Sequence, residues 1–143
     1  MKIKLLDPNA KIPTLGSRYA AGYDLYASKA CVIENGQTVL VHTGLAMEIP
    51  IGYWGGIYAR SGLATKQGLR PANCVGVIDA DYRGEIMVAL YNDSDYHREI
   101  AVGDRIAQLV ISPVCHATDG FQVVEELPGT DRGAGGFGST GSK

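Results

Sequence analysis

Cysteine is scarce in this chain: Cys31, Cys74 and Cys115 are three among 143 residues, with no CxxC pair. An odd, widely spaced set excludes a complete disulfide framework and offers no zinc spacing, so a reducing compartment, the cytoplasm, is the expectation. Histidine is equally sparse. His42, His97 and His116 stand apart without HExxH or similar spacing, which leaves no histidine-built metal site and no evident nucleophile–base constellation. Neither a P-loop nor a dinucleotide-binding fingerprint occurs. No signal peptide and no apolar run long enough to span a membrane is present. The formal charge of -2 argues against a general nucleic-acid or membrane surface, while leaving room for a local arginine cluster that holds a small anion.

What is present suits one turn-rich β domain. The length allows a single real core, 45% of residues are hydrophobic, and the 19 glycines are about twice ordinary usage. Short apolar runs recur between turn signals, a pattern that favours a sandwich, jelly roll or barrel over a parallel α/β fold. Residues 2–5 read as an edge strand ended by Asp7-Pro8-Asn9, and residues 31–41 as a hairpin about Asn35-Gly36. In 20–27, AAGYDLYA, alternation turns Leu25 and Ala27 inward and makes Asp24 a surface residue. Residues 53–59 carry Gly55-Gly56, which permits close backbone approach, beside Trp54 as a core or subunit contact. FQVVEE reads as the last strand.

The organising stretch is 73–87, NCVGVIDADYRGEIM, in which strand-forming arms flank an acidic, glycine-closed turn. Asp79 and Asp81 project to the same side and are equivalent by pattern alone; taken by itself, the turn is a solvated acidic bend. Residues 60–68, RSGLATKQG, form the one good helix signal, with Ser61 as cap and Gly68 as stop. Its start, with Arg60 and free backbone N–H groups, suits a phosphate as well as an ordinary surface helix does. Gln108, amid Ile106, Ala107, Leu109 and Val110, needs a partner if buried. The end of the chain, 130–143, holds five glycines with Arg132, Phe137, Ser139 and Thr140 between them. Such a tail cannot bury itself, and those groups suit a lid that orders on an anionic, aromatic ligand.

Five separated stretches, AGYDLYA, ARSGLA, GVIDADYRG, GDRIAQL and RGAGGFGSTG, together resemble the ordered motif set of the trimeric dUTP pyrophosphatases, the dUTPases. The match runs from about residue 21 to 141, with Ala59 standing where many members resemble PRSG. The resemblance implies a distorted jelly-roll domain over 1–128, a lid over 129–143, and hydrolysis of dUTP to dUMP and pyrophosphate with Mg²⁺ on the triphosphate. It implies Asp79 as the base that activates water. Asn73, Gly76, Val77, Ile78 and Met87 would read uracil, with Tyr82 on the sugar excluding a ribose 2′-hydroxyl. Arg60, Ser61, Gly62 and Gln108 would hold phosphates, and Asp24 would meet the metal through water. Arg132, Phe137, Gly138, Ser139 and Thr140 would close over the nucleotide. A homotrimer with shared sites, binding neither nucleic acid nor membrane, is likewise implied. The related dCTP deaminases are the nearest rival; the IDADYRG turn and complete tail favour the pyrophosphatase. A non-catalytic trimeric β module that binds a partner through its tail is the rival from another class.

Overall fold

The computed structural model describes residues 1–116 and 120–136. Its elements are β1 Lys2–Leu5, β2 Thr14–Leu15, β3 Tyr23–Tyr26, β4 Cys31–Ile33, β5 Thr38–His42, β6 Leu45–Glu48, β7 Tyr53–Tyr58, α1 Ser61–Gln67, β8 Leu69–Pro71, β9 Gly76–Ile78, β10 Met87–Asn92, β11 Arg98–Ile100 and β12 Arg105–Pro113. Every ladder is antiparallel, in the orders β1-β6, β5-β10-β8, β11-β4 and β2-β3-β12-β7-β9. This is the all-β, jelly-roll-like architecture with one short helix. Among the described residues no helix is long and apolar enough to cross a membrane.

The core is made by alternation. Ile86, Val88 and Leu90 point inward along β10 and its approach, while Leu25, Ile57, Ile106 and Leu109 come from the five-stranded sheet, all at most 2% exposed. Burial of each such side chain contributes roughly 1.5–3 kcal/mol, so the seven anchor the two larger sheets to one another. The glycine pair of β7 serves close approach. A Cβ on Gly55 would lie 2.9 Å from Ile49 Cδ1 and one on Gly56 2.6 Å from Tyr58 Cε2, so side chains there would push the packing apart.

Several local expectations change. Asn35-Gly36 does turn the chain, with Gly36 at φ 72° and the Gln37 N–H donating to the Glu34 carbonyl. Its two arms nevertheless enter different sheets: β4 pairs with β11 and β5 with β10. The arms of 73–87 part in the same way, since β9 pairs with β7 and β10 with β5 and β8. FQVVEE forms no strand; residues 120–126 are exposed, with Phe121 and Val123 each at 97%. An apolar stretch without a neighbouring edge has no ladder to join, so β12 is the last strand among the described residues. The helix is capped by the Arg60 backbone rather than by Ser61, and no side-chain cap bond forms. Gly68 ends it as expected, left-handed at φ 68°, with its N–H on the Leu63 carbonyl.

Candidate active site

The parting of β9 and β10 creates the main feature. Because the two arms do not ladder, their facing edges leave a narrow cavity of about 80 Å³ bounded by Asn73, Gly76, Val77, Ile78 and Met87. It continues into a wider cleft of about 290 Å³ that adds Asp79, Tyr82 and Glu85. Seven of the residues anticipated for base, sugar and water therefore line one cleft. Asn73 is presented by a tight bend in which Cys74 adopts φ 62° and the Val75 N–H donates to the Asn73 carbonyl at 2.7 Å. A left-handed non-glycine residue costs about 1–2 kcal/mol, so the bend is strained where it meets the cleft.

The turn separates the two aspartates. Asp79 lines both this cleft and a second hollow bounded by Ile51, Trp54 and Arg83, whereas Asp81 lines the second hollow and not the cleft. Asp79 is exposed, and among the described residues its carboxylate has no hydrogen-bond partner. Its carbonyl accepts from the Tyr82 N–H at 3.2 Å, and the Tyr82 hydroxyl donates to the Glu85 carbonyl at 3.1 Å. Glu85 in turn accepts from the Gly44 N–H at 2.8 Å and lies 3.0 Å from His42 Nδ1. Burial works against its charge, but the hydrogen bonds from His42 and Gly44 and the nearby charges of His42 and Lys29 hold the Glu85 carboxyl below its ordinary value.

A second cluster centres on Asp24, which is buried at 3% exposure and is not the surface residue that alternation suggests. Its face of β3 is covered: Arg60 Nε donates to Oδ1 and Arg105 Nη1 to Oδ2, both at 3.2 Å, with Gln108 Nε2 at 3.5 Å from Oδ1. A buried carboxylate requires such pairing, because desolvation otherwise costs several kcal/mol. Gln108 thus has its partner. Arg105 is the residue sequence reasoning missed, for a definite reason: Arg105 and Gln108 are three apart and should face opposite ways. An irregularity between Arg105 and Ala107 shifts the register, so that Arg105 pairs with Tyr26 and Gln108 with Asp24 on one face. A charged residue just before an apolar strand, opposite a lone aspartate, was the available signal.

Ser61 and Gly62 sit at the exposed start of α1 beside this cluster, and a Cβ on Gly62 would meet nothing within 4 Å. Arg132 is exposed and donates to the Gly135 carbonyl at 2.8 Å, within its own turn. Phe137, Gly138, Ser139 and Thr140 lie outside the described residues.

The cleft and the cluster are apart in one chain. Gln108 pairs with Tyr58 of β7, whereas Ile78, next to Asp79, pairs with Gly55, which is opposite Ile111. Two strand spacings and about four residues along β12 put Asp79 roughly 17 Å from Gln108.

A backbone-edged slot with a free carboxylate at its mouth, and separately an arginine cluster with spare donors, define a β protein equipped for a planar ring bearing a polyanion. Comparison with known proteins gives the family. The dUTPase family model matches residues 8–141, and the chain belongs to the dUTPase family. The deoxyuridine 5'-triphosphate nucleotidohydrolase of Nautilia profundicola is 50% identical over 99% of this chain and 98% of its own length. The structure of a Staphylococcus bacteriophage 80alpha dUTPase G164S mutant with dUpNHpp has a TM-score of 0.90 and 32% identity, covering 98% of this chain and 97% of that one. The D95N dUTPase of phage phi11, described as coordinating a structural Mg(II) ion, has a TM-score of 0.82 and 27% identity over 90% and 98% of the two chains.

Proposed function

We propose that this chain hydrolyses dUTP to dUMP and pyrophosphate in a site whose base-reading and phosphate-holding halves come from different copies of the chain. The observation that carries this reading is the cleft between β9 and β10, where unpaired backbone edges meet the free Asp79 carboxylate. Strand edges that satisfy no ladder have donors and acceptors to offer a uracil edge, and a narrow slot crowds out the methyl of thymine. Asn73, Gly76, Val77, Ile78 and Met87 read the base, and Tyr82 packs on the sugar. Asp79 accepts a proton from the water whose oxygen bonds the α-phosphorus as the bond to the pyrophosphate oxygen breaks.

Arg60, Ser61, Gly62 and Gln108 hold phosphates, a task of positioning and charge neutralisation rather than covalent catalysis. Among the described residues no three His, Cys, Asp or Glu side chains converge to hold a metal ion. Both Asp24 oxygens also face guanidinium groups already. These residues fit an ion that arrives on the triphosphate and meets Asp24 through water. Magnesium held there would supply charge neutralisation for the triphosphate. The roughly 17 Å between Asp79 and Gln108 supports a site shared between copies of the chain, and the homotrimer is the assembly that the dUTPase resemblance implies for it. The tail over 129–143, through Arg132, Phe137, Gly138, Ser139 and Thr140, closes over the nucleotide. A cytoplasmic location suits three free cysteines.

The test is pyrophosphate release from dUTP with dTTP, dCTP and UTP as controls, run on parent, Asp79→Asn and Asp81→Asn. The parent turns over dUTP alone. Asp79→Asn loses about 10²–10⁴ in kcat while keeping dUTP affinity, and Asp81→Asn stays within a few-fold of the parent. Undiminished turnover by Asp79→Asn would sink the assignment.

A further inference from the structure

The acidic turn is anchored at one end by contacts that the proposed reaction does not use. Met87 opposite His42 is the first register pair of β10 on β5, so Glu85 lies beyond the ladder, where the turn would otherwise fray. Residues 42–45 hold it there. Gly44 N–H and His42 Nδ1 meet the two Glu85 oxygens, the Thr43 hydroxyl donates to the Ile86 carbonyl, and the Ile86 N–H donates to the Leu45 carbonyl at 2.7 Å. From Glu85 the contacts continue inward. The Tyr82 hydroxyl rests on the Glu85 carbonyl, and the Tyr82 N–H rests on the carbonyl of Asp79.

We propose that the Glu85–His42 pair is a positioning latch: it sets Tyr82, and through Tyr82 the Asp79 carboxylate, for discrimination between deoxyribose and ribose. The proposal rests on the reading that Tyr82 packs on the sugar. Neither partner is needed for the core. The His42 side chain is 37% exposed and that of Glu85 23%, while Ile86 beside them is 1% exposed and carries the packing. The link from carboxylate to ring runs through the Glu85 residue itself and one hydrogen bond from the Tyr82 hydroxyl to its carbonyl, so a small displacement of Glu85 reaches the face that would meet a 2′-hydroxyl. Among the described residues the His42 ring makes no other hydrogen bond or ion pair; it faces Glu85, and Lys29 is the further cation near that carboxylate.

The experiment uses the whole 143-residue chain and five variants: Glu85→Ala, Glu85→Gln, His42→Ala, Tyr82→Ala and the Glu85→Ala/His42→Ala double. Two readouts are taken, the ratio of kcat/KM for dUTP over UTP and amide hydrogen exchange at residues 79–86. Glu85→Ala and His42→Ala are expected to lower the ratio about tenfold and to speed exchange at Tyr82. Glu85→Gln, which keeps an acceptor for the Gly44 N–H, recovers most of both. The Glu85→Ala/His42→Ala double variant is no worse than the poorer single, because the two act as one unit. Unchanged exchange overturns the latch. Faster exchange with an intact ratio, when Tyr82→Ala itself loses the ratio, also overturns it. If Tyr82→Ala leaves the ratio intact, the sugar reading fails instead, and the latch is judged on dUTP kcat: a loss of about tenfold in Glu85→Ala upholds it and an unchanged value overturns it.

Discussion

Replacing Asp24 by asparagine tests whether the carboxylate is held by its arginines or only waits for a metal. The Asp24 side chain is 4% exposed, its partners Arg60 and Arg105 25% and 51%, and both contacts are 3.2 Å long. Breaking a fully buried pair costs about 3–5 kcal/mol. Two facts reduce that here. The contacts are longer than the roughly 2.7–2.9 Å of a strong charge-assisted bond, and Arg105 is half in water, where pairing contributes about 1 kcal/mol or less. Arg60 then accounts for most of a loss of about 2–3 kcal/mol. For a domain of this size each kcal/mol moves Tm by about 3–4 °C, so Asp24→Asn should melt roughly 6–12 °C below the parent. Because the pair is buried, the difference should persist at high ionic strength. Thermal unfolding by circular dichroism, without nucleotide or metal, measures it. A Tm within about 1 °C of the parent's, the only defect being a higher Mg²⁺ requirement in turnover, would refute the pairing argument.

Gly62→Ala should leave the fold intact, or stabilise the helix by up to about 1 kcal/mol, since a Cβ there has open space in the single chain. It should nonetheless raise the KM for dUTP about tenfold, if the Gly62 backbone is approached by a phosphate; an unchanged KM removes Gly62 from the phosphate set. Acid stability should report Glu85, whose carboxyl is held below its ordinary 4.5. A depressed value means that the folded state stays ionised while the unfolded chain takes up a proton, so this stabilisation is present above about pH 4.5 and fades as the pH falls through the lower folded value. Denaturant unfolding from pH 6 to pH 3 should therefore show the parent losing stability more steeply than Glu85→Gln. Parallel curves would contradict it.

Turns were legible in the sequence and ladders were not, and the two differ in range. Asn35-Gly36 and the 79–84 bend are decided by residues adjacent in the chain, and both reverse the backbone as expected. Strand partners depend on what a distant segment offers. Jelly-roll connections send successive strands to different sheets, so the pairs read as hairpins split apart. Burial failed at Asp24 for a related reason. Period-two alternation states that Asp24 opposes Leu25, and it does, but alternation cannot tell that the opposite face is roofed by Arg60 and Arg105. The bulge that brings Arg105 round is invisible for the same cause, being a mismatch between two strands about 80 residues apart.

The failed hairpin is what opens the slot at residues 73–87. Had β9 and β10 laddered, their facing N–H and C=O groups would have satisfied one another and closed the slot. Drawing β9 to β7 and β10 to β5 and β8 leaves the free edge of β9 facing the start of β10, ahead of Leu90 where the β8 pairing begins, while each strand keeps a partner elsewhere. Under the proposed reading, water meets these open groups in the free protein and a base in the complex, so recognition needs no unfolding of the sheet. The same division puts Asp79 just past β9 at the edge of the five-stranded sheet, while Gln108 lies on its central strand β12. Under the reading proposed above, Arg60 and Gln108 then lie too far along the sheet from Asp79 to hold the same nucleotide, and a second copy of the chain supplies them.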